Sequence, residues 1–177
     1  VEKVQEARYC KESRCVKISR VFPTDLNDHN TMFGGKLMAY IDDVASISAA
    51  RHCRTETVTA STDSVDFLCP IPQSYSVCLT SFVTSTGHSS MEIFVKVIIE
   101  NLRTGERKIA ATAFLTFVAL DDDGRPIPVP SVIPETDEEK KLFETAPKRA
   151  ERRKLHRSES KQLAAHLTVD KFWDVQA

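Results

Sequence analysis

An α+β fold, a long antiparallel sheet wrapped around one central helix with a helical extension after it, follows from three observations. Residues 35–52 carry apolar side chains at helical spacing. Several other stretches alternate apolar and polar residues with the period of two that marks a half-buried strand. Successive strands are joined by tight turns, which antiparallel pairing permits and parallel pairing does not.

In chain order, residues 1–12 are polar and form an N-terminal arm. Val16, Ile18 and Val21 suggest a first strand over 15–22, stopped by Pro23. A polar loop, 23–33, leads into the helix. There Leu37, Ile41, Val44 and Ser48 fall on one stripe, with Met38, Ala45 and Ala49 beside it. Ala39, Ala45, Ser46, Ala49 and Ala50 make the helix slim, suited to lying close against a sheet or another helix. Residues 57–68 are rich in Thr, Ser and Val and end at a turn containing Pro70 and Pro72. Tyr75, Val77, Leu79 and Val83 alternate with more polar neighbours until Gly87 breaks the run. Met91, Ile93, Val95, Val97 and Ile99 alternate with Glu92, Lys96 and Glu100. Gly105 sits in a hairpin turn, and the last strand, from Ile109 to Ala119, is closed by Asp121, Asp122, Asp123 and Gly124. Pro126, Pro128 and Pro130 space an extended connector. Thr136 followed by Glu139 predicts a capping box opening a charged helix over about 137–165. The organisation is therefore an arm over 1–12, a main domain over 13–135 and a charged helical extension over 136–177.

With 177 residues the chain is long enough for one domain with a sizeable core. A net charge of −1 gives no electrostatic reason to expect nucleic acid or a membrane surface as partner. No apolar run approaches the ~20 residues needed to span a bilayer, and the first residues lack the apolar core of a signal peptide. The five cysteines have no Cys-x-x-Cys spacing, so they read as reduced thiols of a cytoplasmic protein. His52, His156 and His166 show no ligand spacing with Cys or carboxylates, and no metal is expected.

The chemistry concentrates in residues 25–43. A turn rich in Asn, Asp and His runs into Gly34 and Gly35 and then into the helix. Backbone N–H groups left free at a helix start favour developing negative charge. The glycines let a substrate carbonyl come close, since no Cβ stands in the way. Two turns further on is Asp42, whose neighbours at three and four residues, Met38, Ala39, Ala45 and Ser46, are small or apolar. Burial there would raise its pKa and make it a better base near neutral pH. Asp43, about 100° round the helix, is expected to face solvent. An oxyanion site followed by an acid is what thioester or ester hydrolysis needs. At ~1.5 Å per residue, however, Asp42 lies roughly 10 Å from its own helix start. That is too far to act on a carbonyl held at Gly34 and Gly35 of the same chain; a second copy packed by two-fold symmetry could bring the two together.

Asn27, then Phe33, Gly34, Gly35 and Lys36, then Ile41 and Asp42, resemble the signature of hot-dog-fold acyl-CoA thioesterases, the branch that cleaves cytosolic acyl-CoA. Residues 59–67, 87–92 and 114–121 match as well, so the resemblance spans roughly 13–150. It implies fatty acyl-CoA as substrate and no cofactor beyond the CoA carried by substrate and product. Asp42 would be base or nucleophile, Asn27 would position water or thioester, and the two would come from opposite protomers of a dimer. It implies hexamers built from such dimers. Gly87, His88, Ser89 and Ser90 become the candidate contacts to the CoA pyrophosphate, through backbone N–H groups and hydroxyls; as a pattern alone this is an ordinary hairpin turn. Asp28 stands where the family usually has a His, with His29 one further on. Asp63 and Asp66 either orient active-site groups or make structural hydrogen bonds. The basic run 148–157 is a solvated helix face or a weak phosphate site. Two other readings remain at this level: a hydroxyacyl-thioester dehydratase with His29 as base, and a non-catalytic acyl-CoA sensor.

Overall fold

The computed structural model describes residues 6–171 and Trp173, so the first five residues of the expected arm lie outside the described residues. The rest of that stretch is ordered into strand β1 (Arg8–Tyr9) and one helical turn, α1 (Cys10–Ser13). Cys10 and Ser13 are fully buried, and burial beside Glu139 pushes the Cys10 thiol up to about 12. Strand β2 (Cys15–Arg20) and a 3₁₀ turn (Pro23–Asp25) lead to helix α2 (Gly34–Cys53). Strands β3 (Glu56–Phe67), β4 (Ser76–Thr86), β5 (Ser90–Glu100) and β6 (Arg107–Leu120) follow, then β7 (Val132–Ile133) and helix α3 (Asp137–Ala164).

The main sheet has the order β2-β4-β5-β6-β3 with every pair antiparallel, and β1 and β7 form a parallel pair of their own. Helix α2 lies on one face of the main sheet, as the sequence predicts. Its stripe of Leu37, Ile41, Val44, Ala45 and Ala49 is buried with Val77, Leu79, Ile93, Val95, Ala113 and Leu115. Burying each large side chain of this set stabilises the fold by about 1.5–3 kcal/mol. Alanines on the helix side let backbone and sheet approach closely. The helix ends at Arg54, in the left-handed region at φ 60°, whose N–H donates to the Ala50 carbonyl at 2.8 Å. Strand β3 occupies one edge of the sheet and pairs only with β6, with irregularities between Thr59 and Ser61 and between Thr62 and Ser64.

The chain divides into two compact units, Val1–Phe143 and Glu144–Ala177. The division falls after Phe143 because the opening turns of α3 belong with the sheet. The capping box forms there as the sequence indicates: the Glu139 N–H donates to Thr136 Oγ1 at 3.2 Å, and Glu139 Oε2 accepts from the N–H groups of Glu135 and Thr136 at 2.8 and 3.0 Å. Arg14 reaches Glu139 at 2.8 Å while its guanidinium lies over the Phe82 ring. Burial opposes the Glu139 charge, but these backbone donors and Arg14 outweigh it and hold its carboxyl below the usual range.

His52, at the end of α2, is fully buried, and its Nε2 lies 2.9 Å from the Pro130 carbonyl on the proline-spaced connector. That carbonyl can only accept, so Nε2 carries the proton, and the buried Nδ1 has no hydrogen-bond partner. Burial lowers the His52 pKa below its ordinary 6.5, against the opposing pull of the Pro130 carbonyl. A His with a depressed folded pKa contributes stability that is complete above 6.5 and is lost as pH falls through the lowered value, because the unfolded chain takes up the proton first. Thermal unfolding followed from pH 7.5 to 5 should show this loss. His52→Gln, whose amide can still donate to Pro130, should have a flatter profile over that window, and an unchanged slope would refute the assignment.

Candidate active site

The loop before α2 is fixed by its backbone. Met32 N–H donates to the Ile71 carbonyl at 2.8 Å, Phe33 N–H to the Asp25 carbonyl at 2.7 Å, and Thr31 pairs with Pro72. Asn27 organises the turn between them: its Oδ1 accepts from the N–H groups of His29 and Thr31 at 2.9 and 3.2 Å, and its Nδ2 donates to Thr31 Oγ1 at 3.1 Å. Among the described residues, then, the side chain of Asn27 bonds only within its own turn. Asp28 and His29 are exposed.

Helix α2 opens at Gly34 without a side-chain cap, because the residue at the capping position is Phe33, which has no acceptor to offer. Lys36 and Leu37 already donate to the Phe33 carbonyl, so the leading N–H groups, those of Gly34 and Gly35, face outward along the helix axis. An aromatic ring borders each glycine. A Cβ on Gly35 would fall 2.5 Å from the Phe33 ring, and a Cβ on Gly34 would fall 3.7 Å from Cζ of Phe67. The missing side chain at Gly35 thus leaves room for the Phe33 ring, whereas a Cβ on Gly34 would make only ordinary contact with Phe67.

Asp42 is exposed on the single chain, not buried as its neighbours in sequence suggest. The buried stripe of α2 runs through Leu37, Ile41, Val44 and Ser48, whereas Asp42 follows Gly34 and Met38 at intervals of four on the adjoining open face. Thr59 on β3 donates to Asp42 Oδ1 at 3.0 Å. Asp43 points elsewhere, its Oδ2 2.6 Å from Lys17 on β2, which also lies over the Tyr40 ring. Thr59 is a partner that sequence reasoning missed. It stood in a Thr/Ser-rich strand with nothing in its spacing to single it out, since only the crossing of β3 over α2 brings it to the acid.

The 87–90 turn joins β4 to β5. Gly87 N–H donates to the Ser90 carbonyl at 2.8 Å, while the carbonyls of His88 and Ser89 accept from the N–H groups of Val129 and Ala119. Those inward bonds fix the backbone and leave the hydroxyls of Ser89 and Ser90 on a partly exposed rim. The single chain does not bring this turn into contact with Asn27. Asp63 accepts from Ser61 Oγ at 2.5 Å and Thr116 Oγ1 at 2.7 Å, which ties β3 to β6. Among the described residues, no group of three or more His, Cys, Asp or Glu is placed to hold a metal. A cleft of about 560 Å³ lined by Arg54, Glu56, Leu120 and Asp122 lies toward the other end of α2.

A slim helix cradled by an antiparallel sheet is the hot-dog arrangement that the sequence predicts. The sequence pattern of the thioesterase superfamily matches residues 29–106. A Bacillus subtilis protein named an uncharacterized acyl-CoA thioester hydrolase is 67% identical over 168 residues, covering 95% of this chain and 98% of that one. The crystal structure of an acyl-CoA hydrolase from Bacillus cereus is 56% identical, with a TM-score of 0.90 over 92% of this chain and 99% of that one. An acyl-CoA hydrolase from Staphylococcus aureus, solved with butyryl coenzyme A, coenzyme A and coenzyme A disulfide, is 49% identical, with a TM-score of 0.86 over 89% and 96%. The same protein has been solved with single Asp-to-Ala, Asn-to-Ala and Thr-to-Ala changes. An apo acyl-CoA thioesterase described as hexameric is 46% identical, with a TM-score of 0.84 over 86% and 97%. This chain belongs to the thioesterase superfamily of hot-dog proteins.

Proposed function

We propose that this protein hydrolyses fatty acyl-CoA to free fatty acid and CoA. The observation that carries the reading is the open face of α2, which runs from the uncapped N–H groups of Gly34 and Gly35 through Met38 to the Thr59-bonded carboxylate of Asp42. The amides at the helix start receive the charge that develops on the thioester oxygen, where one such donor is commonly worth about 100- to 1000-fold in rate. Asp42 activates water or attacks the carbonyl itself, with Thr59 fixing one of its oxygens. The CoA thiolate departs without a strong general acid.

Eight residues separate Gly34 from Asp42, roughly 12 Å along the helix. One chain therefore cannot place both on the same carbonyl, and we infer a dimer with shared sites, Asn27 and Asp42 coming from opposite protomers. Two features support this. Strand β3 presents an edge that no other strand among the described residues pairs with, and Val58 is exposed on it. The open helix face is lined by Gly35, Ala39 and Asp42, which are small enough for close approach. Joining of such dimers into a hexamer, as a trimer of dimers, has its support in the hexameric relative. The five cysteines are unpaired, in keeping with work in the cytoplasm.

Steady-state release of thiol from acyl-CoA, from acetyl to palmitoyl, tests the activity. No thiol release from any chain length, by protein shown to bind acyl-CoA, would favour a sensor instead. The CoA moiety is assigned to the 87–90 turn. Gly87 is not in the left-handed region, so a side chain there acts through contact: its Cβ would lie 2.8 Å from Ser90 Oγ and crowd the rim. Gly87→Val should raise KM for acyl-CoA with kcat largely kept, and Ser90→Ala should do so more mildly. An acyl-pantetheine, which lacks the nucleotide, should be much less affected; equal impairment of both substrates would refute the assignment.

A further inference from the structure

Phe67 ends β3 with 54% of its surface exposed, and Leu68 after it is exposed as well. Its partner across the sheet is Ala111, which is fully buried, so the ring rises from the same face of the sheet that α2 covers. It leans over the start of α2, with Cζ 3.7 Å and Cε1 3.9 Å from where a Gly34 Cβ would be. Met38, one helical turn on from Gly34 and 46% exposed, continues this apolar strip toward Asp42. An aromatic ring thus lies against the helix start, and a thioether follows it one turn along the same face.

We propose that Phe67, with Met38, binds the first methylenes of the acyl chain beside the thioester and so sets the preference of the enzyme against very short acyl groups. The inference rests on the reading of Gly34 and Gly35 as the carbonyl site. An acyl group whose oxygen is held there would have its first carbons beside the Phe67 ring, whose Cζ and Cε1 border Gly34. Acetyl offers that surface a single methyl, whereas butyryl and longer chains lay two or more methylenes on it. Each methylene buried against apolar surface is worth about fourfold in binding. A Cβ at Gly34 would already be in van der Waals contact with the ring, so the ring sits directly against the helix start.

The test measures kcat and KM for acetyl-, butyryl-, octanoyl- and palmitoyl-CoA in wild type, Phe67→Ala, Phe67→Leu and Met38→Ala, with native mass recorded for each. The expected result for Phe67→Ala is a KM raised about tenfold for butyryl and longer chains, with kcat kept and acetyl-CoA nearly unchanged. Phe67→Leu, still apolar, should recover most of the loss, and Met38→Ala should show a smaller effect on octanoyl and palmitoyl. A uniform loss at every chain length would overturn the proposal in favour of a structural role. Dissociation of the assembly in Phe67→Ala would overturn it in favour of an interface role. A wild type that releases no thiol from any acyl-CoA would remove the hydrolase reading and this proposal together, whereas an active wild type with a length-independent variant removes only this one.

Discussion

Asp42→Ala should lose at least ~100-fold in thioesterase rate while the protein stays folded and keeps its oligomeric mass. The fold is expected to survive because Asp42 is exposed on the single chain and accepts a hydrogen bond from the Thr59 hydroxyl at the surface, so truncation opens no cavity in the core. Asp43→Ala is the internal control. It removes the pair with Lys17, in which both side chains are substantially exposed, and such pairs are worth about 0–1 kcal/mol. The variant should therefore melt slightly earlier and retain its rate. Two neighbouring carboxylates, one turned toward β3 and the other toward β2, thus separate chemistry from stability in one pair of measurements. Equal loss of rate in both variants would show that neither acid has the proposed role.

Mixing two inactive proteins should restore activity. If each site takes Asn27 from one protomer and Asp42 from the other, a heterodimer of Asn27→Ala with Asp42→Ala holds one doubly altered site and one intact site. With random subunit exchange about half of the dimers are mixed, and half of their sites are whole, so recovery should approach roughly a quarter of wild-type activity, on the statistics of a two-fold assembly. Exchange has to be verified by mass, for instance with isotopically labelled protomers. Mixed dimers that remain inactive would place a complete site within each chain. The side chain of Asn27 is committed to its own turn through His29 and Thr31, so its part in chemistry would be exercised across the interface without leaving that turn.

The sequence was most legible where a period repeats. The stripe Leu37, Ile41, Val44 and Ser48 marked the helix, and the alternation from Met91 to Ile99 marked β5, because each pattern records burial on one face. The capping box at Thr136 and Glu139 was equally plain, being a local exchange of hydrogen bonds. What could not be read from local pattern was made by contacts distant in sequence. The bond from Thr59 to Asp42 depends on where an edge strand crosses a helix, and the lock of His52 on Pro130 joins residues far apart in the chain. Asp42 misled for a related reason. Small neighbours on a helix resemble a buried environment, yet on one chain they line an open face.

The missing cap on α2 has a consequence for how this enzyme can be improved. A Ser, Asp or Asn in place of Phe33 would ordinarily add about 0.5–2 kcal/mol by occupying the leading N–H groups. With the proposed carbonyl site at Gly34 and Gly35, that gain would fill the place of the substrate's oxygen, so a substitution that stabilises the fold would act as a built-in inhibitor. The proposed site thus makes the helix start a state of unmet demand that the reaction would satisfy for an instant, and screening Phe33 variants for heat resistance alone would tend to close it.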